Sequence, residues 1–288
     1  MSLPAAVPGT HAAAPSGDRP TGRRRFPGPA PATLLFWALA VWTLLPLAVL
    51  AVVAWSGGWR FPTLLGASPG TPPWSQLAGG WGPLAGALGM SLALAVGTGV
   101  LAGAGGLPLG RALAGLGGRW RAVGAGAAFL PVAAPPLALG VGLQFTFLRL
   151  GLGGSTLGVL LAHLVPALGY TTLYFLGVFA VFDEEIEEEA RRLGARPHQV
   201  LVRVTLPLLR RPLAEAAILG FLVSWAQVPL TLLVGQARVR TLTVEVLAWT
   251  QAGQDPLAAA GALCLALPPL ALMAAAALAV RRGEVVIP

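Results

Sequence analysis

Residues 33–55 read TLLFWALAVWTLLPLAVLAVVAW, 23 residues without a charge. At about 1.5 Å of rise per residue, a helix of this length crosses the roughly 30 Å hydrocarbon core of a bilayer. A secretory leader is the rival reading, but its apolar core normally runs only about 7–15 residues. Five further apolar segments follow: Leu84–Leu107, Ala122–Leu148, Leu157–Phe182, Ala216–Gly235 and Pro256–Val280. The expected fold is an all-α integral membrane protein with about six transmembrane helices. Prolines lie within several segments, among them Pro131, Pro135, Pro136, Pro166, Pro229, Pro268 and Pro269. Membrane helices hold proline more often than soluble ones do.

Composition agrees with a bilayer environment. The chain is 56% hydrophobic and 10% charged, whereas soluble domains carry about a quarter charged residues. Residues 1–32, rich in Ala, Pro, Gly and Ser, are expected to form a disordered tail ahead of the first span. All 19 basic residues are arginine. A Walker A loop needs a lysine to reach the terminal phosphates, so this chain holds no such loop and any ATP hydrolysis belongs to another polypeptide. The net charge of +8 is not a sign of nucleic acid, because the arginines flank the apolar segments.

The arginines also orient the chain. With the N-terminus inside, the cytoplasmic pieces hold 15 of the 19 and the outer pieces only Arg60, Arg149, Arg238 and Arg240. The positive-inside rule favours this arrangement, with both termini cytoplasmic. Trp55, Trp59, Trp74, Trp81 and Trp249 near the outer boundary, and Trp37 and Trp120 near the inner one, resemble aromatic belts. In the second span, Gly99 and Gly103 are four residues apart, a spacing that lets helix backbones approach closely. The single cysteine, Cys264, reads as a small core residue.

One polar block stands between the fourth and fifth spans. Residues 183–212 read DEEIEEEARRLGARPHQVLVRVTLPLLRRP. Helix-to-helix connections usually run about 2–8 residues, so a segment this long calls for structure of its own. Asp183, Glu184 and Glu185 suit a helix start, and Arg191 and Arg192 suit its end. Gly194 is a candidate left-handed cap. Pro197 suits the first position of a second short helix over 197–204, with Pro207 expected to block its continuation. Ile186, Ala190, Leu193 and Val200 are expected to form one apolar surface. A solvated loop that only sets topology is the bland alternative.

This block resembles the cytoplasmic motif of inner-membrane permeases of binding-protein-dependent ABC importers: EAA, three residues, Gly, nine residues, Ile, one residue, Leu-Pro. Glu188-Glu189-Ala190 stands at EAA, with Glu189 departing from alanine; Gly194 follows at the required spacing; Val204 replaces isoleucine; Leu206-Pro207 closes the motif. The resemblance covers roughly residues 84–280. It implies a type I ABC importer permease-like fold in a bacterial inner membrane, with the elbow acting as a coupling helix. Glu188, Ala190, Gly194, Leu206 and Pro207 would shape the elbow, and Arg196, Pro197, Val200 and Val204 would lie at the contact with an ATPase. The implied partners are two ATPase subunits, a second permease copy or a paralogue, an external solute-binding protein and membrane lipid. The run SWAQVPLTLLVG has a general likeness to permeases for iron, thiamine, molybdate, sulfate or polyamines. The leaning is toward iron and thiamine, with the solute left open.

A small and polar stripe marks the fifth span: Gly220, Ser224, Gln227 and Thr231, on one helical face. It reads either as a substrate path beside a helix loosened by Pro229 or as a close helix contact with polar glue. Gln144, Thr146, His163 and Tyr170 are weaker pathway candidates. His11 and His198 suggest no metal site. No nucleophile–base constellation is visible, so a membrane-embedded enzyme is disfavoured and no cofactor is expected. A secondary transporter working without an ATPase is the alternative; it would keep ionisable groups at membrane depth and show an internal repeat.

Overall fold

A computed structural model describes residues 30–56, 73–75 and 82–281. It divides into two units, Met1–Leu45 and Pro46–Pro288. Among the described residues the chain is helical, with no strand. The tail expected over 1–32 lies outside them, except that residues 30–32 open the first helix; Trp59, Trp81 and Arg60 also lie outside.

Helix α1 spans Ala30–Trp55. Helix α2, Pro83–Ala114, is longer than the apolar segment that predicts it. The third segment is not one helix. It splits into α3, Gly118–Ala133, and α4, Pro136–Arg149, bent by 98°. The cause is the Ala134-Pro135-Pro136 sequence. Each residue before a proline is pushed out of the helical region, and Ala134 and Pro135 take ψ of 137° and 128°. Helix α5 spans Thr156–Ala180, its N-terminus capped by the Ser155 hydroxyl accepting the Gly158 N–H.

Past the elbow, the fifth segment is also broken. Helix α9, Arg210–Trp225, and α10, Pro229–Gly235, meet at 66°; the elbow's own short helices take the labels α6 to α8 below. Helix α11, Leu242–Gln251, was not expected from the sequence. Helix α12, Asp255–Arg281, keeps Pro268 and Pro269 inside it. Among the described residues four helices are long and apolar enough to cross a membrane, or six when each bent pair counts as one span.

The core of the second unit gathers on α2, α5 and α9. A Cβ on Gly99 would sit 2.5 Å from the Ala217 carbonyl oxygen, and one on Gly220 would sit 3.1 Å from the Gly99 Cα. The Gly99–Gly103 pair therefore packs against α9. Farther along α2, Gly106 meets Thr171 and Gly110 meets Phe175, and the Thr171 hydroxyl donates to the Ala102 carbonyl at 2.8 Å. Glycines thus let one helix lie flush on two neighbours, where dispersion contacts replace the hydrophobic drive that lipid does not supply. Cys264 is buried in the apolar cluster that includes Leu84, Leu242 and Trp249. Trp249 is therefore a packing residue rather than part of an interfacial belt, whereas Trp55 and Trp74 pair at 5.0 Å between ring centroids.

Candidate functional site: a braced helical elbow

Helix α6 runs Glu185–Arg192. The Asp183 carboxylate accepts the Glu185 N–H at 2.9 Å, covering one donor that the first turn leaves open. At the other end Gly194 takes φ of +89°. The Ala195 N–H donates to the Ala190 carbonyl and the Gly194 N–H to the Arg191 carbonyl, the paired bonds of a Schellman motif. Pro197 then opens the short helix α7, Pro197–Val200, and the Gln199 side chain accepts the Arg196 N–H at 2.9 Å.

The expected stop at Pro207 is corrected. The chain continues as a π-helical turn, Leu201–Thr205, and a short helix α8, Leu206–Leu208, that contains Pro207. A proline ring inside an α-helix clashes with the carbonyl four residues earlier. The wider turn just before Pro207 gives that carbonyl room, so the helical path survives. The helical path is interrupted instead at Leu209 (φ −90°, ψ 10°).

The expected apolar surface is also corrected. Val200 is buried, but Ile186 is 45% and Leu193 84% exposed. The residue that α6 buries is Glu187, 1% exposed. Its carboxylate accepts from both terminal guanidinium nitrogens of Arg111 on α2, from Arg191 at 3.1 Å, and from the Thr205 hydroxyl at 2.6 Å. Both oxygens are fully engaged, which is what a buried carboxylate requires. Bonding to Arg111 is the main influence holding the Glu187 carboxyl below its ordinary range, against the opposing effect of burial. Because the folded state lowers this pKa, the stabilisation is complete above the ordinary carboxylate range and is lost as pH falls through the lowered folded value. Protection of the α6 amides, corrected for intrinsic exchange rates, is expected to hold as pH falls past the range where exposed glutamates protonate and to drop only as pH passes through the lowered Glu187 value. Replacing Glu187 with glutamine is expected to remove that dependence.

The other motif residues are distributed around this brace. Glu188 is exposed and pairs with Arg192 at 3.5 Å. Glu189 is exposed, so its departure from the motif's alanine disturbs no packing. Ala190, Val204 and Leu206 are half-buried, and Gly194, Arg196, Pro197 and Pro207 are exposed. Sequence reasoning missed Glu187, Arg111 and Thr205. The available signal was Glu187 at four residues before Arg191, on the same face as Ala190.

The stripe on the fifth segment is divided. Gly220 packs on α2. Ser224 and Thr231 are buried and lie 2.8 and 2.9 Å from the two ring nitrogens of His163, so this histidine bridges α9 and α10 across their bend. Gln227 lies in the bend and lines a cleft of about 230 Å³ with Tyr170, Ala134, Pro131 and Pro166. The cleft therefore sits where both broken segments meet. Gln144 is half-buried and Thr146 exposed, its hydroxyl donating to the Gly142 carbonyl. Among the described residues no three His, Cys, Asp or Glu side chains gather to hold a metal.

A helical membrane core with an elbow before its broken penultimate segment agrees with the family match. The family described as "Binding-protein-dependent transport system inner membrane component" matches residues 106–283, and the chain belongs to it. The chain is 31% identical over 235 residues to the molybdenum transport system permease protein ModB of Mycobacterium tuberculosis, covering 76% of this chain and 82% of that one. It is 25% identical over 159 residues to the spermidine/putrescine transport system permease protein PotC of Haemophilus influenzae, covering 55% and 62%. It is 33% identical over 150 residues to the inner membrane ABC transporter permease protein YnjC of Escherichia coli; that match covers 52% of this chain and spans only 29% of YnjC.

Proposed function

We propose that this chain is the solute-conducting subunit of an ABC importer, and that residues 183–212 couple it to a separate ATPase. The carrying observation is the contrast within the elbow. One side is fixed on Glu187, while the other presents Leu193 and Ile186 among Glu188, Arg192 and Arg196. An exposed leucine ringed by charges is the composition of a small docking surface with an apolar centre and a polar rim. The arginine distribution supports a cytoplasmic position for this surface, where ATP is available, with both termini on the same side. Two such elbows, from this chain and a second copy or a paralogue, would engage two ATPase subunits. A solute-binding protein would deliver cargo at the outer face of the bacterial inner membrane.

The solute path is assigned to the cleft at the two helix breaks, with Gln227 as its polar group. Irregular backbone at membrane depth is tolerated where it lines such a cavity. Molybdate is the first solute to test, because among the relatives named above ModB covers the most of this chain. The leaning toward iron and thiamine has no support from those relatives. A secondary transporter is disfavoured by the family to which the chain belongs, which is one of binding-protein-dependent systems.

Purification of the chain from its native membranes, followed by reconstitution, tests the reading. A Walker A polypeptide should co-purify with this chain, and vesicles holding the full complex and its binding protein should take up molybdate only with ATP. Undiminished uptake without the ATPase would overturn the coupling assignment. ATP-driven uptake of a different oxyanion or amine would revise the solute alone.

A further inference from the structure

We propose that the Glu187–Arg111 pair is a strut that delivers elbow motion to the second membrane helix, α2, in addition to the covalent route into α9. The inference rests on the coupling role proposed for residues 183–212 and adds the path by which displacement enters the membrane.

The elbow joins α5 before it and α9 after it through the chain. It has no direct junction with α2; Arg111 lies 76 residues before Glu187. Arg111 is in the last turn of α2. Its guanidinium lies over the Phe179 ring of α5, 5.5 Å from the centroid, and grips both carboxylate oxygens of Glu187. The same carboxylate accepts from Thr205 in the π-helical turn that leads toward α9. One buried group therefore links α2, α6 and the root of α9, while Arg111 also rests on α5.

The chemistry suits transmission better than simple adhesion. A buried ion pair adds little stability over a well-packed apolar contact of equal volume. A bidentate guanidinium–carboxylate contact instead fixes distance and orientation together, and so resists pushing, pulling and rotation. Beyond Arg111, α2 is flush with α9 at Gly99 and Gly103 and with α5 at Gly106 and Gly110. A displacement entering α2 at Arg111 is thus shared by three packed helices. Glu187 itself, at 1% exposure, lies inside the elbow and presents nothing to an ATPase.

The test uses the complete transporter, reconstituted with its ATPase in vesicles, in a Cys264→Ala background. Ala134→Cys in the cleft reports conformation through its maleimide labelling rate with and without ATP plus vanadate, which needs no knowledge of the solute. Glu187→Gln and Arg111→Gln are each expected to keep the ATPase bound while shrinking the nucleotide-dependent change in labelling about fivefold or more. In Glu187→Cys/Arg111→Cys, bridging the two introduced thiols with a short bis-maleimide before the reporter is probed should restore the change, read in that arm by a genetically encoded environment-sensitive fluorescent residue at position 134 in place of Ala134→Cys. A full response in Glu187→Gln overturns the strut. So does loss of the ATPase from both glutamine variants, which would make the pair a folding element of the elbow, or failure of the bridge to restore the response. Leu193→Asp separates the two levels. If it detaches the ATPase while Glu187→Gln responds normally, only the strut fails; if it changes neither binding nor response, the coupling reading fails with it.

Discussion

Gly194→Glu is expected to reduce ATP-driven uptake to background while leaving the chain inserted in the membrane at normal abundance. Gly194 has φ of +89°, a region that costs a side-chain-bearing residue roughly 1–2 kcal/mol. No atom lies within 4 Å of where a Cβ would stand. The backbone cost is therefore shared by every substitution except those that tolerate the left-handed region, and sterics add nothing. Glutamate brings a second penalty, because a negative charge at the C-terminal end of α6 opposes the helix dipole. It would also stand next to Leu193 on the proposed docking side. A graded series checks the argument: Gly194→Asn should retain most uptake, Gly194→Ala should be intermediate, and Gly194→Glu should be inactive. Membrane abundance and ATPase co-purification, measured together with uptake, separate lost coupling from lost protein.

Gly99→Leu is expected to prevent assembly of the membrane core. A Cβ there would lie 2.5 Å from the Ala217 carbonyl oxygen and 3.1 Å from the Phe221 nitrogen. These are backbone atoms of α9, so no side chain can swing aside, and α2 and α9 must separate. Overpacking typically costs about 1–3 kcal/mol and more where the backbone must move. The neighbouring contacts of Gly103 and Gly220 would be lost with it. Gly86 provides the internal control, since a Cβ there meets nothing within 4 Å. In detergent, Gly99→Leu should lose the monodisperse elution of the parent or show a lower Tm, and Gly86→Leu should match the parent in both.

The sequence and the fold agree where one physical signal dominates. Uncharged runs mark the membrane segments because a bilayer demands length and apolarity. Gly194 and Pro197 read correctly because each has a narrow backbone preference. The third segment was less legible: its composition satisfies a single span, and only the conformational restriction of Ala134 and Pro135 ahead of successive prolines produces the 98° bend. Helix α11 escaped notice because Leu242–Gln251 lies between two spans and has no strong amphipathic pattern. The elbow's buried face was misread by one residue. Apolar periodicity pointed to Ile186 and Leu193, whereas the group taken inward is Glu187, whose burial depends on Arg111 from a distant part of the chain. Likewise, the stripe from Gly220 to Thr231 looks continuous on a straight helix. The break at Pro229 and the hydroxyl bonds to His163 leave Gln227 as its cleft-lining member.

Photocrosslinking from the elbow tests the central claim most directly. With Cys264→Ala as background, a benzophenone maleimide on Leu193→Cys should capture the Walker A subunit in membranes holding the assembled transporter, whereas the same probe on Arg238→Cys should not. Absence of that adduct at residue 193, or equal capture from residue 238, would contradict an ATPase seated on this surface.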